Sequence, residues 1–156
     1  MPTRYLRNTV ILAKIESTYG TDSTPTEGAN AILVSNVTIT PLKSNNVDRN
    51  LVRGYMGGSE QLAGAISVDI GFDVELAGAG AAGTAAPYGP LLRACGFVET
   101  LSASVRAEYN LTTPVTDSLT IYGFWDGAKH IVKGCRGTVS INMTSGNRPL
   151  LSFKFT

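Results

Sequence analysis

One stretch of the chain alternates between apolar and polar side chains so regularly that it predicts its own secondary structure. Between residues 65 and 77, an apolar side chain occupies every second position from Ile66 to Leu76. The positions between them include four polar residues, which are Ser67, Asp69, Asp73 and Glu75. A pleated strand gathers each set on one face, whereas a helix would scatter the apolar residues around its axis. The stretch therefore predicts an antiparallel sheet with one buried face and one acidic, solvated face.

Similar patterns predict about eight strands separated by turn residues. The strands are expected at residues 9–16, 31–42, 65–77, 101–111, 119–125, 128–132, 137–144 and 150–155. In the second strand, three residues are expected on the inner side, namely Leu33, Val37 and Ile39. Asp126-Gly127 predicts a tight hairpin between the strands that flank it. A last hairpin should place three apolar residues opposite three others: Val139, Ile141 and Met143 opposite Leu151, Phe153 and Phe155.

The segments between the strands predict one helix and two loops. Pro90 suits the first turn of a short helix, and Gly96 suits the position just past its end. Residues 17–30 are rich in Gly, Thr, Ser and Pro and predict an exposed loop. Residues 43–64 form a connection far longer than a usual hairpin loop, which is typical of a functional or disordered insertion.

Together these elements predict a mainly β fold. We expect an antiparallel β-sandwich or barrel of about eight strands, with one short flanking α-helix and a long extended loop. At 156 residues, the chain is expected to form a single domain over residues 1–156.

Charge is balanced in total but unevenly distributed. The chain has 13 Lys and Arg against 12 Asp and Glu, a balance that indicates neither a nucleic-acid nor a membrane surface. From residue 54 to 92 every charge is negative. From residue 127 to 156 every charge is positive, in a group called the basic set below: Lys129, Lys133, Arg136, Arg148 and Lys154. Such a molecule can attract copies of itself head to tail. Ordinary surface charge that happens to cluster is the alternative.

No arrangement of residues predicts a reaction centre. Residues 78–83 have the glycine spacing of a dinucleotide-binding loop, but the preceding strand carries carboxylates, so a linker is the better interpretation. His130, the only histidine, lacks a nucleophile on a sharp turn. The carboxylates of residues 65–77 could form the catalytic pair of a glycosidase or bind a divalent cation. Neither site follows from the pattern alone, because any solvated strand face carries polar residues. We expect no enzyme activity and no cofactor.

The ends of the chain and its cysteines bear on location. Arg4 and Arg7 precede an apolar stretch that is short and contains Lys14, which predicts neither a secretory signal nor a membrane anchor. Cys95 and Cys135 are too few for a disulfide scaffold and are expected to be buried thiols. A reducing cytoplasm is the expected folding compartment.

Three segments resemble the major tail tube proteins of long, non-contractile-tailed bacteriophages. They are residues 11–25 (ILAKIESTYGTDSTP), 30–39 (NAILVSNVTI) and 134–155 (GCRGTVSINMTSGNRPLLSFKF). The resemblance covers most of the chain and depends on the general residue pattern of these segments and on the order of the predicted elements. It implies a structural protomer that closes into hexameric rings, and rings that stack into a hollow tube for DNA ejection.

The resemblance also implies roles for particular residues. Asp69, Asp73 and Glu75 are expected to line the lumen and repel the DNA backbone, with an outward solvated face as the alternative. A loop that contacts the next ring is implied for seven residues: Lys43, Asn45, Asn46, Asp48, Arg49, Arg53 and Tyr55. The basic set would supply a complementary surface, and the N-terminal arm and residues 17–30 would supply further contacts.

The implied partners are other copies of the chain and other tail proteins, namely the terminator, tape measure and distal tail proteins. DNA would pass through without sequence-specific binding, and no membrane would be involved. The protein would reside in the virion tail after assembly in the host bacterial cytoplasm. Two other classes stay open from the residues alone. One is a β-sandwich module that binds a ligand or carbohydrate, and the other is a hydrolase that uses the acidic strand.

Overall fold

Antiparallel strands dominate the structure, a computed structural model that describes residues 9–156. The N-terminal arm of the sequence prediction, with Arg4 and Arg7, lies outside the described residues. The strands are β1 (Thr9–Ile15), β2 (Ala31–Ile32), β3 (Ser35–Ser44), β4 (Val47–Asp48), β5 (Gln61–Leu62), β6 (Ile66–Glu75), β7 (Phe97–Ser102), β8 (Arg106–Leu111), β9 (Leu119–Trp125), β10 (Ala128–Cys135), β11 (Gly137–Asn142) and β12 (Leu150–Phe155). The helices are α1 (Glu27–Asn30) and α2 (Gly89–Ala94).

Two four-stranded sheets form the body of the fold. Sheet A has the order β10-β9-β1-β2, and sheet B has the order β11-β12-β6-β3. Two smaller pairs, β4 with β5 and β7 with β8, complete the strands of the described residues. Every pair is antiparallel. The predicted fold class, a mainly β antiparallel sandwich, is confirmed.

The core lies between the inner faces of the two sheets. Ile70, Phe72 and Val74 of β6 are buried, as the alternation of residues 65–77 predicts. Ile66 and Leu76, at the ends of that stretch, are instead exposed. The ring of Phe72 lies 6.0 Å from that of Phe153 and 5.9 Å from that of Phe155. Rings at that separation attract each other beyond their burial of apolar area. Sheet A contributes six residues to the same cluster, which are Ile11, Ala13, Ile32, Leu119, Ile121 and Cys135.

The predicted helix is present as α2. Pro90 lies in its first turn, and Gly96 follows its end with a φ of +95°, a conformation that favours glycine. Leu91, Leu92 and Ala94 are buried in the core cluster, so the helix closes one flank of the sandwich. A second short helix, α1, ends the segment 17–30 and was not predicted.

The predicted strand 31–42 is two strands that belong to different sheets. β2 pairs with β1 in sheet A, whereas β3 pairs with β6 in sheet B. The chain crosses between the sheets at residues 33 and 34, so Leu33 is 95% exposed and its inward placement was wrong. Val37 does pack against the core, and Ile39 is partly buried. The continuous apolar run 31–34 hid the crossing, because a change of sheet leaves no mark on periodicity.

The predicted strand 101–111 is a hairpin. β7 runs to Ser102, β8 begins at Arg106, and the two pair with each other. The apolar alternation continues through the turn between them, where Ser104 has a φ of +56°. A local pattern could not distinguish this turn from a strand, since the turn carries no Gly, Pro, Asn or Asp.

Both hairpins signalled by turn residues are confirmed. Asp126 and Gly127 join β9 to β10 with φ values of +43° and +83°, the left-handed pair that a tight two-residue turn requires. In the last hairpin, Val139 is opposite Phe153 and Ile141 is opposite Leu151. Phe155 is instead opposite Gly137, and Met143 lies beyond the end of β11.

Candidate functional site

The face of sheet B that points away from the core, called the polar face, carries the three carboxylates singled out in the sequence. Asp69 Oδ2 accepts a hydrogen bond from Lys43 Nζ at 2.7 Å, and its Oδ1 accepts one from Thr156 at 3.0 Å. Asp73 accepts a hydrogen bond from Asn36 Nδ2 at 2.8 Å. Each of these carboxylates is therefore held by a donor of the same chain.

The third carboxylate, Glu75, forms an ion pair with Arg148. Lys154 of β12 is exposed on the same face, one strand away from β6. With Lys43, three basic side chains thus accompany the three acidic ones. The polar face is close to neutral, because cations from distant parts of the chain lie beside the acidic residues of β6.

The hydrogen bonds keep the aspartates ionised. The bonds from Lys43 and Thr156 lower the pKa of Asp69, and those from Ser152 and Asn36 lower the pKa of Asp73. Donors to a charged carboxylate favour the charged form. Both groups therefore stay negative well into the acidic range.

Hydroxyl and amide groups fill most of the remaining polar face. They line a concavity of about 490 Å³ between β3, β6 and β12. The lining includes Asn36, Thr38, Thr40, Ser152 and Thr156. The surface can form hydrogen bonds, and two of its three cations, Lys43 and Arg148, are paired with carboxylates of the same chain.

The basic set is divided between the two sheets. Lys129 and Lys133 lie on β10 in sheet A, where Lys129 Nζ is 3.6 Å from the centroid of the Tyr122 ring. Arg136, between β10 and β11, covers the ring of Tyr19 at 5.0 Å. Arg148 and Lys154 instead accompany sheet B. The structure therefore does not bring the five residues together on one surface.

Residues 43–64, called the arm, form a projection that is two-stranded at its base and continues as a long loop over residues 49–60. The ladder between β3 and β6 reaches Ser44 and Ile66, and β4 and β5 continue the pairing. Lys43 lies at the base of the arm, and Asn45 donates its backbone N–H to the carbonyl of Ala65. None of the arm residues is fully buried.

The polar residues predicted in the arm bind one another along the projection. Gln61 donates to Asp48 at 2.6 Å, and Asn46 donates to Gln61 at 3.4 Å. Nearer the tip, Arg53 donates to Tyr55 at 2.7 Å and forms an ion pair with Glu60 at 3.1 Å. Arg49 also approaches Glu60, at 3.8 Å. These contacts order the arm without attaching it to the core.

The arm exposes an unusual amount of apolar surface. Of the twenty large apolar side chains that are exposed among residues 9–156, six belong to it: Val47, Leu51, Val52, Tyr55, Met56 and Leu62. Val52 and Met56 reach 103% and 106% of full exposure. Single exposed apolar residues are ordinary, but a cluster of this kind marks an interaction surface. The sequence indicated the arm by its length and, of these six residues, identified only Tyr55 as a contact group.

An apolar groove lies at the other end of sheet B and was missed in the sequence. It has a volume of about 450 Å³ and is formed by residues 31–35, 73–78 and 87–88 with Arg148. Its floor includes Ile32, Val34, Val74 and Tyr88. Because three separate segments build it, no local pattern could reveal it.

A buried carboxylate fixes the loop that follows β1. Glu16 is only 7% exposed and accepts four hydrogen bonds, from Gly20, Ser118, Thr120 and Gly134. Burial alone would raise the pKa of Glu16, but these four donors outweigh it and lower the pKa. The segment 17–30 is largely exposed, as expected, yet it is tied down at its start.

Two further contacts hold the segment 17–30 against sheet A. The Tyr122 hydroxyl donates to Asp22 at 2.6 and 2.7 Å. The backbone N–H of Ser23 donates to the Thr120 hydroxyl at 3.2 Å. Pro25, which belongs to this segment, is buried. The segment is therefore part of the sandwich surface.

The histidine and the cysteines pack against other side chains or are at least partly shielded from water. His130 packs edge-on against Trp125, with ring centroids 5.0 Å apart. Over the described part of the chain, no group of three or more His, Cys, Asp or Glu residues is placed to hold a metal ion. Cys135 is buried, as expected, whereas Cys95 is only partly buried. Burial raises the pKa of both thiols to about 12, so both are protonated at neutral pH. The helices within residues 9–156 are too short to cross a membrane.

A family model described as phage tail tube protein matches residues 7–156, which is nearly the whole chain. No curated protein matches the chain.

Proposed function

The chain belongs to the phage tail tube protein family, and from that premise we propose that six copies close into a ring and that rings stack into the conduit for DNA ejection. Membership makes the chain a structural component of the virion tail that assembles with other tail proteins. The ring, its stoichiometry and the passage of DNA are the parts proposed here.

The observation that carries the proposal is the pair of open edges of sheet B. Within residues 9–156, its outer strands, β11 and β3, each pair with a strand on one side only. Exposed apolar side chains stand at both edges, with Ile141 on β11 and Leu42 on β3. An open edge with apolar side chains is an aggregation hazard unless another strand covers it. Pairing β11 of one copy with β3 of the next would cover both edges and close a barrel.

The dimensions of such a barrel suit DNA. Six copies with four strands each make about 24 strands, which enclose a cylinder roughly 48 Å across at about 4.8 Å between strands and a tilt near 40°. Side chains take up roughly 5 Å on each side, which leaves a bore of about 38 Å. A DNA duplex passes through a bore of that width.

The polar face would line this bore, with Asp69, Asp73 and Glu75 in the wall. The carboxylates would act chiefly by forming ion pairs with neighbouring lysine and arginine side chains. Asp69 engages Lys43 and Glu75 engages Arg148, so neither cation is free to bind a phosphate. Free lysine and arginine side chains would hold DNA by releasing its counterions. A wall in which two of the three cations are already paired would hold the duplex weakly and let it slide.

The arm would contact the next ring, and its exposed apolar side chains would supply most of that contact. Residues 17–30 and Lys129 and Lys133 on sheet A would remain outside the bore. The terminator, tape measure and distal tail proteins would be the further partners. Assembly would take place in the cytoplasm of the bacterial host.

Electron microscopy of the purified protein tests assembly. We expect rings or hollow tubes, with six subunits around the axis. Particles that remain monomeric at every concentration and salt condition would contradict the proposal.

A charge substitution tests the wall. The double variant Asp69→Asn, Glu75→Gln frees Lys43 and Arg148, so assembled tubes should bind a short DNA duplex more tightly than wild type. The logarithm of the binding constant should fall with the logarithm of salt concentration by about 0.9 for each phosphate newly contacted. Glu108→Gln is the matched control, because it frees Arg106 on β8, outside sheet B. If the double variant binds DNA no better than this control, the wall does not act by pairing its cations.

A further inference from the structure

The arm and the apolar groove lie at opposite ends of the same sheet. The arm leaves from Ser44, the last residue of β3, and returns at Ile66, the first residue of β6. The groove is built around the other ends of these two strands, at residues 31–35 and 73–78. When two copies are stacked along the strand direction, the arm of one copy therefore lies next to the groove of the other.

From this placement we propose that the groove is the receptor for the arm tip of a second copy in the adjoining ring. The inference rests on the proposed function and adds to it the surface that receives the arm. The contact joins two different surfaces, so it is heterologous and does not close on itself. Repeated heterologous contacts generate an open stack.

The shapes and chemistry of the two surfaces correspond. Val52 and Met56 at the arm tip are fully exposed to water in the part of the chain that the structure describes. The groove offers a concave apolar lining that includes Leu33, which is also almost fully exposed. Its volume of about 450 Å³ lies within the range of protein pockets that bury apolar groups, roughly 300 to 1,000 Å³. Contact between the arm tip and the groove would therefore remove apolar area of both surfaces from water.

The charges next to these apolar surfaces have opposite signs. Beyond the β4–β5 pair, the arm carries Arg49 and Arg53 against Glu60, a surplus of one positive charge. The rim of the groove carries Asp73 and Glu75 against Arg148, a surplus of one negative charge. Opposite charges across an interface orient the partners and favour the correct pairing.

The arm is long enough to make the contact. Eight residues separate Ser44 from Val52, and an extended chain rises about 3.3 Å per residue, so the tip reaches up to roughly 26 Å beyond the sheet. That reach allows for a lateral offset between copies in stacked rings. A groove in the same copy lies at the far end of β6, about 30 Å away along the ten-residue strand, in the direction opposite to the arm.

Disulfide cross-linking of assembled protein tests the pairing. In the double variant Leu33→Cys, Met56→Cys, mild oxidation should give covalent multimers, and mass spectrometry should identify peptides that join positions 33 and 56. The wild-type chain, with Cys95 and Cys135, sets the background. The control double variant Ile141→Cys, Met56→Cys places the second thiol on the exposed edge of β11, where a neighbour in the same ring would lie.

The expected result is at least a tenfold excess of the 33–56 cross-link over the 141–56 cross-link. Tubes that form normally but join position 56 to position 141, or to neither position, would overturn the assignment of the groove. Wild-type protein that forms no rings or tubes would instead overturn the proposed function, so the two failures are distinguishable.

A second measurement does not depend on thiols. Leu33→Asp should leave the monomer folded, because the side chain is exposed, but should abolish stacking and leave single rings in electron micrographs. Val105→Asp changes an equally apolar, exposed residue outside both surfaces and should still form tubes. Normal tubes from the Leu33→Asp variant would contradict the proposal.

Discussion

Replacement of Glu16 by Gln tests how a single buried carboxylate holds the loop after β1. Each carboxylate oxygen accepts one backbone N–H and one hydroxyl group. Oε2 binds Gly20 N at 2.8 Å and Ser118 Oγ at 2.6 Å. Oε1 binds Gly134 N at 2.8 Å and Thr120 Oγ1 at 2.9 Å. In the variant, one of these oxygens becomes an NH₂ group that cannot accept either bond.

The cost follows from this geometry. A hydroxyl group can turn and accept a hydrogen bond from the new NH₂ group, but a backbone N–H cannot. Either orientation of the amide therefore leaves one N–H, of Gly20 or of Gly134, facing another donor. A hydrogen bond to a charged group contributes about 1.5–3 kcal/mol, and an unsatisfied buried donor costs about 1–3 kcal/mol. We expect the free energy of unfolding to fall by roughly 3 kcal/mol, which lowers Tm by about 6–12 °C in a chain of this length.

Urea unfolding of the unassembled protein, followed by the fluorescence of Trp125, measures this change. Glu108→Gln, at an exposed carboxylate, is the matched control and should change stability by less than about 0.5 kcal/mol. The difference between wild type and Glu16→Gln should also depend on pH. The pKa of Glu16 is lower in the folded than in the unfolded chain, so its contribution is present above the unfolded pKa and is lost as pH falls through the folded value. The difference should therefore shrink between pH 7 and about pH 3. A Glu16→Gln variant as stable as the control at pH 7 would refute the reasoning.

Two further predictions concern the β9–β10 turn and the thiols. Gly127→Ala places a side chain at a φ of +83°, which should lower the free energy of unfolding in urea by about 1–2 kcal/mol. The control Gly58→Ala lies at an open position without positive φ and should change stability little. Equal effects of the two variants would contradict the turn geometry. Cys95 and Cys135, with the pKa of each raised to about 12 by burial, should react with a thiol reagent at pH 8 only after unfolding, and rapid labelling of the folded protein would show that they are accessible.

Local periodicity identified those features that depend on one strand or one turn. The alternation of residues 65–77 predicts β6 and its inward residues, because a pleated strand has two faces whatever its neighbours are. Asp126-Gly127 predicts its hairpin because the turn requires φ angles that these residues adopt readily. The same reasoning failed at residues 31–42 and 101–111, where an uninterrupted pattern continues through a change of sheet and through a turn.

The candidate surfaces were predicted only in part for the same reason. The sequence marks the arm by its length and the polar face by its carboxylates. It cannot reveal that Lys43, Arg148 and Lys154 bring that face close to neutral, or that three segments build a groove at its end.

The sequence by itself thus determined which side of the central part of β6 is buried and where the two glycine-containing hairpins turn, since both depend on neighbouring residues. Only the tertiary structure decided which strands pair and which charges meet. Glu16, for instance, finds three of its donors 102 to 118 residues away. Contacts at that separation depend on the order of strands in the sheets, and strand order reflects the packing of the whole core.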